Sequence, residues 1–292
     1  MNRLLLPFLL AVSSFTAQGQ GSAQEHLAAA RSAYDAGRYT DALSLADSAI
    51  AHDQALAAAY KLRGDVHQRN KEMERAMADY GQAERLDPVD ARLYVSRSAA
   101  RITGGNLKGA QKDLDRALSL TPNDPDIYYN RACVFYLMGD NKSALKDTER
   151  ALKLDKGHAE ALFLSGTVKG EEYREKEGLA EIEEALRLKP DLPGGQMSAA
   201  VLLYELKAFE EAIVKFTEII DTDSTLRAEA HYYRGDCRYN LDQKEQACSD
   251  WRQASALGDR EATFIVKNYC ETDRKSIPKK PVRKRRTTVV SF

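Results

Sequence analysis

A spacing of 34 residues, kept along most of the chain, constrains the fold more than any local motif. Alanines recur at Ala42, Ala76, Ala110, Ala144, Ala212 and Ala247, with Gly178 in the remaining slot, so the steps are 34, 34, 34, 34, 34 and 35 residues. Seven positions after each marker stand Ala49, Ala83, Ala117, Ala151, Ala185 and Ala254, with Ile219 the exception. Twelve positions before each marker stand Ala30, Gly64, Ser98, Ala132, Gly166, Ala200 and Gly235. A period of this length marks a supersecondary unit stacked on copies of itself. Turn-forming pairs such as Ala36-Gly37, Gly104-Gly105 and Gly139-Asp140 divide stretches of helical apolar spacing, and Pro88, Pro122 and Pro190 close the second stretch. Each unit is therefore expected to be a helix hairpin whose small residues let its two helices approach closely.

A second regularity concerns charge. Arg63, Arg97, Arg131 and Arg234 occupy the seventh place of their units, and each has Asp sixteen residues later: Asp79, Asp113, Asp147 and Asp250. The three units without Arg carry Leu45, Glu181 and Lys215 at the Asp place. Two positions that vary together inside one chain are expected to meet, here as a charge-assisted hydrogen bond within each hairpin.

A 34-residue helix-turn-helix with small residues at its eighth, twentieth and twenty-seventh places and Pro at its thirty-second resembles the tetratricopeptide repeat. In single letters the better units read YKLRGD…RAMADYGQAERLDP, YVSRSA…GAQKDLDRALSLTP and YYNRAC…SALKDTERALKLD. The resemblance covers residues 23–261 as seven units, 23–56, 57–90, 91–124, 125–158, 159–192, 193–226 and 228–261. It implies an all-α, right-handed superhelical solenoid. Ala33 and Gln54 in the first unit, Gly178 in the fifth and Ser224 in the sixth depart from the pattern. Residues 260–270, with Ala262, Ile265, Val266 and Tyr269 on one stripe, are expected to form a helix that caps the open end of the array.

The two ends differ from the body. Residues 1–19 begin with Arg3, run apolar from Leu4 to Val12 and turn small and polar through Ser13, Ser14, Ala17 and Gly19, as a secretory signal peptide does. The apolar run is shorter than the roughly 20 residues of a membrane span. Cleavage is expected after Gly19, with Ala17 and Ala23 as other points, and an uncleaved anchor or a buried N-terminal helix as the competing readings. Residues 271–292 hold eight basic side chains, among them Lys279, Lys280, Arg283, Lys284, Arg285 and Arg286, against Glu271 and Asp273, a net of +6. The whole chain carries −1, so once this segment and Arg3 are set aside the body carries −8. With Pro278 and Pro281 and no apolar period, the tail is expected to be disordered.

No residues support catalysis, a metal or a cofactor. His26, His52, His67, His158 and His231 are scattered, and no C-x-x-C occurs. Gly104 to Gly109 has the spacing of a phosphate loop, but Ala110 and Gln111 stand where Lys and Ser or Thr are needed. His158-Ala159-Glu160 lacks the P-C-x-x-C partner of a zinc deaminase. The end of the array, ACSDWRQASALGD…YC, resembles the ends of other bacterial repeat proteins with the same two cysteines, which implies a Cys248 to Cys270 disulfide in an oxidising compartment, with two buried thiols as the alternative. Cys133 and Cys237 lie about three units apart and are not expected to meet.

The resemblance also implies where a partner sits. In this family the first helices line a concave face through places two, five, nine, twelve and thirteen. Those places hold Tyr129, Tyr136, Leu137, Phe163, Met197, Val201, Tyr204, Tyr232 and Tyr239, interleaved with Asp126, Glu160, Glu171, Glu205, Glu229 and Asp236. Aromatic rings among acids suit an extended or helical peptide, and favour a basic one. The Lys and Asn clamp that a related subgroup uses for C-terminal carboxylates is absent, because Lys61 has Asp65 where Asn is required.

The expectation is a non-catalytic scaffold or adaptor, exported to the periplasm or beyond the cell, that holds a protein or peptide. The competing expectation is an envelope structural protein whose basic tail binds anionic lipid or polysaccharide. Nucleic acid becomes a partner only if residues 1–19 are not a signal. An exported chain should have the intact mass of a species that begins at Gln20, and a mass retaining Met1 would remove the cleaved-signal reading.

Overall fold

The computed structural model describes residues 8–272 and 274–278, with side chains from Ser22 onward. Among these residues there are helices and turns and no strand, which is the all-α repeat fold. The chain divides into two compact units, Met1–Met138 and Gly139–Phe292. The first contains α1 (Phe8–Asp35), α2 (Tyr39–His52), α3 (Ala57–Arg69), α4 (Met73–Leu86), α5 (Ala91–Thr103), α6 (Leu107–Leu120) and α7 (Pro125–Leu137). The second contains α8 (Asn141–Leu154), α9 (Ala159–Glu171), α10 (Glu175–Leu188), α11 (Gly195–Glu205), α12 (Phe209–Thr222), α13 (Arg227–Asn240), α14 (Lys244–Ala256) and α15 (Arg260–Ile265). After α15 the chain continues as a π-helical turn, Val266–Cys270, so the terminal helix expected over 260–270 changes pitch midway. The residue that follows the notional signal lies inside α1, which runs unbroken from Phe8.

Every hairpin turns the same way. The residue that ends the first helix's turn has a left-handed backbone at Gly37, Lys71, Gly105, Gly139, Tyr173, Lys207 and Asp242, with φ between 58° and 77°. These positions repeat with the period of the alanines. The next amide then reaches back over the turn, as in Arg38 N to Ala33 O at 2.8 Å and Gln243 N to Arg238 O at 2.9 Å, satisfying a carbonyl that the helix end leaves open. Four of the seven are not glycine, and a side chain in this conformation costs about 1 kcal/mol or more, so the stacked helices hold the turn in place. Helix starts are capped where the sequence offers a donor-accepting side chain. Asp90, Asp124, Asp140 and Asp259 each accept a backbone N–H from the first turn of the helix they precede.

Small residues at the eighth place set the distance between paired helices. A Cβ added to Gly64 would lie 2.8 Å from the ring of Tyr80, and one added to Gly235 would lie 2.8 Å from Trp251 Nε1. In the fifth hairpin the backbones themselves touch. A Cβ on Gly166 would lie 2.6 Å from the carbonyl oxygen of Gly178, which explains why the alanine series is interrupted at Gly178.

Arg63, Arg97 and Arg234 close their own hairpins, and all four arginines also reach the hairpin before. Arg63 grips Asp79 through Nε and Nη2 at 2.8 and 2.7 Å, and its Nη1 donates to Asp47 on the second helix of the preceding hairpin at 2.7 Å. Arg97 binds Asp113 in the same manner and Glu84 of the preceding hairpin. Arg131 donates to Asp115, and Arg234 holds Asp250 while donating to Thr217. Each guanidinium thus joins neighbouring hairpins, a use of its planar fork that Lys could not match. Burial alone would raise the carboxyl of Asp250, yet His231, Arg234 and Arg238 hold it below the ordinary carboxylate range. Where the Arg–Asp pair is missing in the fifth hairpin, Lys169 pairs with Glu181 at 2.6 Å from one turn further along.

The side chains of Arg97 and Asp113 are 8% and 4% exposed, so their pairing is weakly screened. A double-mutant cycle with Arg97→Ala and Asp113→Ala should show a coupling of about 1–3 kcal/mol in denaturant unfolding. A coupling near zero would reduce the pair to surface charge.

Candidate functional site

Within the second unit α9 touches α11 and α11 touches α13, so the first helices form an inner layer. Phe163, Met197, Tyr204, Tyr232 and Tyr239 lie on it, and the structure sorts them into two groups. Phe163, Met197 and Tyr232 are 4%, 8% and 1% exposed and are core residues, which corrects their assignment to a partner surface. The reason is packing around them. The close contact at Gly166 and Gly178 leaves α9 buried on nearly every side, from Ala161 to Val168. Met197 and Tyr232 belong to a cluster built around Phe216, Tyr233 and Trp251, in which the rings of Phe216 and Tyr233 stack 5.6 Å apart and Tyr232 meets Tyr233 edge-on at 5.5 Å.

Tyr204 and Tyr239 are the half-buried aromatic positions of this face. Tyr204 rests on Tyr233 and Phe209, at ring separations of 5.6 and 6.0 Å, and shares a hydrogen bond with Asp236 of α13. Burial, followed by the negative charge of Asp236, pushes the Tyr204 phenol well above its ordinary range, so it stays a neutral donor. Asp236 itself is only 1% exposed. On the same two helices Val201, Glu205 and Glu229 are half-buried, and on α9 Glu160 is held by Lys189 at 2.8 Å.

In the first unit, Tyr129 and Tyr136 are half-buried on α7. Tyr129 hydrogen-bonds Cys133, whose thiol burial pushes up to about 12, so Cys133 stays protonated and unreactive. Cys237 is likewise buried and is not part of the disulfide.

The end of the second unit is tied down covalently. Cys248 on α14 and Cys270, 22 positions further along the sequence, are joined. This holds Tyr269 against Tyr239 and Trp251, at ring separations of 5.5 and 6.2 Å. A cavity of about 280 Å³ opens beside them, lined by Tyr239, Asn240, Asp242, Lys244, Tyr269 and Lys275. The Lys244 ammonium lies 4.7 Å from the centre of the Tyr269 ring and donates to the carbonyl of Arg274 at 3.3 Å. Nothing in the periodicity pointed to this cavity, because Asp242 lies in a turn, Lys244 opens α14 and Lys275 lies beyond the repeats.

Among the described residues no group of three or more His, Cys, Asp or Glu side chains is placed to hold a metal, and no helix is long and apolar enough to cross a membrane. Lys279, Lys280, Arg283, Lys284, Arg285 and Arg286 lie outside the described residues, as does the start of the notional signal.

Comparison with family models matches residues 14–173 to the ETO1 C-terminal domain. The chain belongs to that family. Its fold is of the tetratricopeptide type, by likeness to solved structures that are all distant in sequence. A tetratricopeptide repeat protein from Parabacteroides merdae is 17% identical, with a TM-score of 0.60 over 85% of this chain and 98% of that one. PilF of Pseudomonas aeruginosa is 19% identical, with a TM-score of 0.62 over 72% of this chain and 96% of that one. A chain of the APC/C hetero-tetramer Cut9–Hcn1 is 14% identical, with a TM-score of 0.66, and the match covers 82% of this chain and 47% of that one. Comparison with curated proteins gives no significant match.

The geometry of the last hairpin in this family member makes its stability depend on the disulfide. Closing a loop of 22 residues restricts the unfolded chain by about 3 kcal/mol. Reduction, or Cys270→Ser, should lower the denaturant midpoint accordingly, and an unchanged midpoint would show that apolar packing alone holds the cap.

Proposed function

We propose that this protein is a non-catalytic scaffold that binds a peptide or protein partner on the inner face of its second unit. The observation that carries this reading is the arrangement of Tyr204, Asp236 and Tyr239. Two aromatic rings sit half-exposed on neighbouring first helices, the Tyr204 phenol is fixed by the buried Asp236, and Glu205 and Glu229 are half-buried on the same two helices. Such a surface offers apolar area at small entropic cost and a preference for cationic side chains. The tetratricopeptide type of fold supports an interaction role by analogy, since function lives in the site rather than in the fold. Location in the cell envelope belongs to the same proposal and rests on the character of residues 1–19.

The test is capture from the envelope fraction with three forms of the full chain: wild type, a Tyr204→Ala/Glu205→Lys/Glu229→Lys variant, and a control with Val214→Asp on the exposed side of α12. A partner retained by wild type and control and lost by the inner-face variant, with all three melting alike, supports the reading. Partners retained equally by all three would overturn it.

A further inference from the structure

The cavity beside the cap gathers opposite charges that are not spent on each other. Its lining grades from buried to open: Tyr269 is 3% exposed, Tyr239 is half-buried, and Asn240, Asp242, Lys244 and Lys275 are exposed. Among the described residues no ion pair joins Asp242 to Lys244 or to Lys275, although all three border a space of about 280 Å³. Lys244 gives one N–H to the carbonyl of Arg274 and rests over the Tyr269 ring, which leaves two N–H groups for another acceptor. Asn240 donates to the carbonyl of Asp236, which leaves its amide oxygen as an acceptor. We propose that this cavity binds a free acidic α-amino acid, a small molecule with two carboxylates and one ammonium. In this assignment Lys244 and Lys275 take the carboxylates, and Asp242 with the Asn240 oxygen takes the ammonium.

The first argument is charge. Two lysines and one aspartate are the mirror image of a ligand with two carboxylates and one ammonium. A simple anion would meet Asp242 and a simple cation would meet both lysines, so each is disfavoured by like charge. The second is the floor. Burial, then Tyr239 and Asp242, push the Tyr269 phenol above its ordinary range, so it stays protonated and can donate to a carboxylate. The third is size. A volume of about 280 Å³ lies just under the range that encloses drug-sized ligands, which suits a single amino acid. The last is preorganisation. The Cys248–Cys270 bridge fastens the segment that carries Tyr269 and Lys275 to α14, where Lys244 stands, so little ordering is left for the ligand to impose. Tyr239 borders both this cavity and the inner face, but the site needs no partner on that face and goes beyond the scaffold reading.

The test is calorimetric titration of the full chain, with its disulfide intact, at low salt. The probes are L-glutamate, L-glutamine, L-isoglutamine and N-acetyl-L-glutamate, the last three each lacking one of the charges of the first. L-glutamate should bind with a dissociation constant below about 1 mM. Removing any one charge should weaken binding about fivefold, the worth of one partly exposed ion pair. Asp242→Asn keeps a residue that tolerates the left-handed turn, and should weaken L-glutamate about fivefold without weakening N-acetyl-L-glutamate. Lys275→Gln should weaken both. Trp251 is the only tryptophan of the chain and its ring neighbours those of Tyr239 and Tyr269, so its fluorescence should change over the same L-glutamate concentrations. No heat from L-glutamate up to about 10 mM overturns the proposal. Equal affinity for N-acetyl-L-glutamate would reveal an anion site in which Asp242 takes no part, and overturns it too. So does L-glutamine or L-isoglutamine binding as tightly as L-glutamate, or an affinity for L-glutamate that either variant leaves unchanged. Capture of a partner through the inner face is measured separately, so either reading can fail alone.

Discussion

Paired helices in this protein are separated by less than a side chain at the eighth place of the hairpin, and much of the remaining architecture depends on that approach. With hydrogen alone on Gly64 and Gly235, the rings of Tyr80 and Trp251 lie directly on the opposing helix. With glycine on both sides, at Gly166 and Gly178, the two backbones come into contact. A shared carboxylate such as Asp79 or Asp250 is then near enough for an arginine on the first helix to reach with both nitrogens of its fork. The left-handed turn follows from the same closeness. A hairpin this tight must reverse within a few residues, and the packing sustains that reversal even where Lys71, Tyr173, Lys207 and Asp242 supply the residue.

The arginine junctions supply what close packing alone does not, a directional link between one hairpin and the one before it. Alanine and leucine faces can slide past one another at little cost. A guanidinium that binds two carboxylates on different helices, as Arg63 and Arg97 do, has a single register in which both are satisfied. The cost of desolvating these charges is offset only when every partner is in place, so the junctions favour one stacking over others.

The alanine period, the hairpin turns at Gly37, Gly105 and Gly139, and the linked Arg and Asp places could be read because they depend on spacing, which a repeat multiplies. The same spacing carried the left-handed turn to Lys71 and Tyr173, whose residue types argue against it. The inner face was less legible. Tyr204 and Phe163 occupy equivalent kinds of place on successive first helices, and both point inward by position. Phe163 is buried because α9 and α10 lie backbone to backbone, and Tyr204 stays half-exposed because Tyr233 and Phe209 support it from one side. No periodicity distinguishes these two environments, because each is made by residues far away in sequence.

The sequence by itself determined the all-α class, the period, the partners of the arginines in the hairpins at Arg63, Arg97 and Arg234, and the acidic body with its basic end. These are local or repeated properties, carried by spacing and charge. Only the tertiary structure decided which inward-facing aromatics are core and which are surface, that the arginines also reach the preceding hairpin, and that a cavity forms between Tyr239, Tyr269 and Lys275. Those outcomes depend on how closely particular helices pack, and that distance is set by pairs of side chains, such as Gly235 and Trp251, that meet only once the chain has folded.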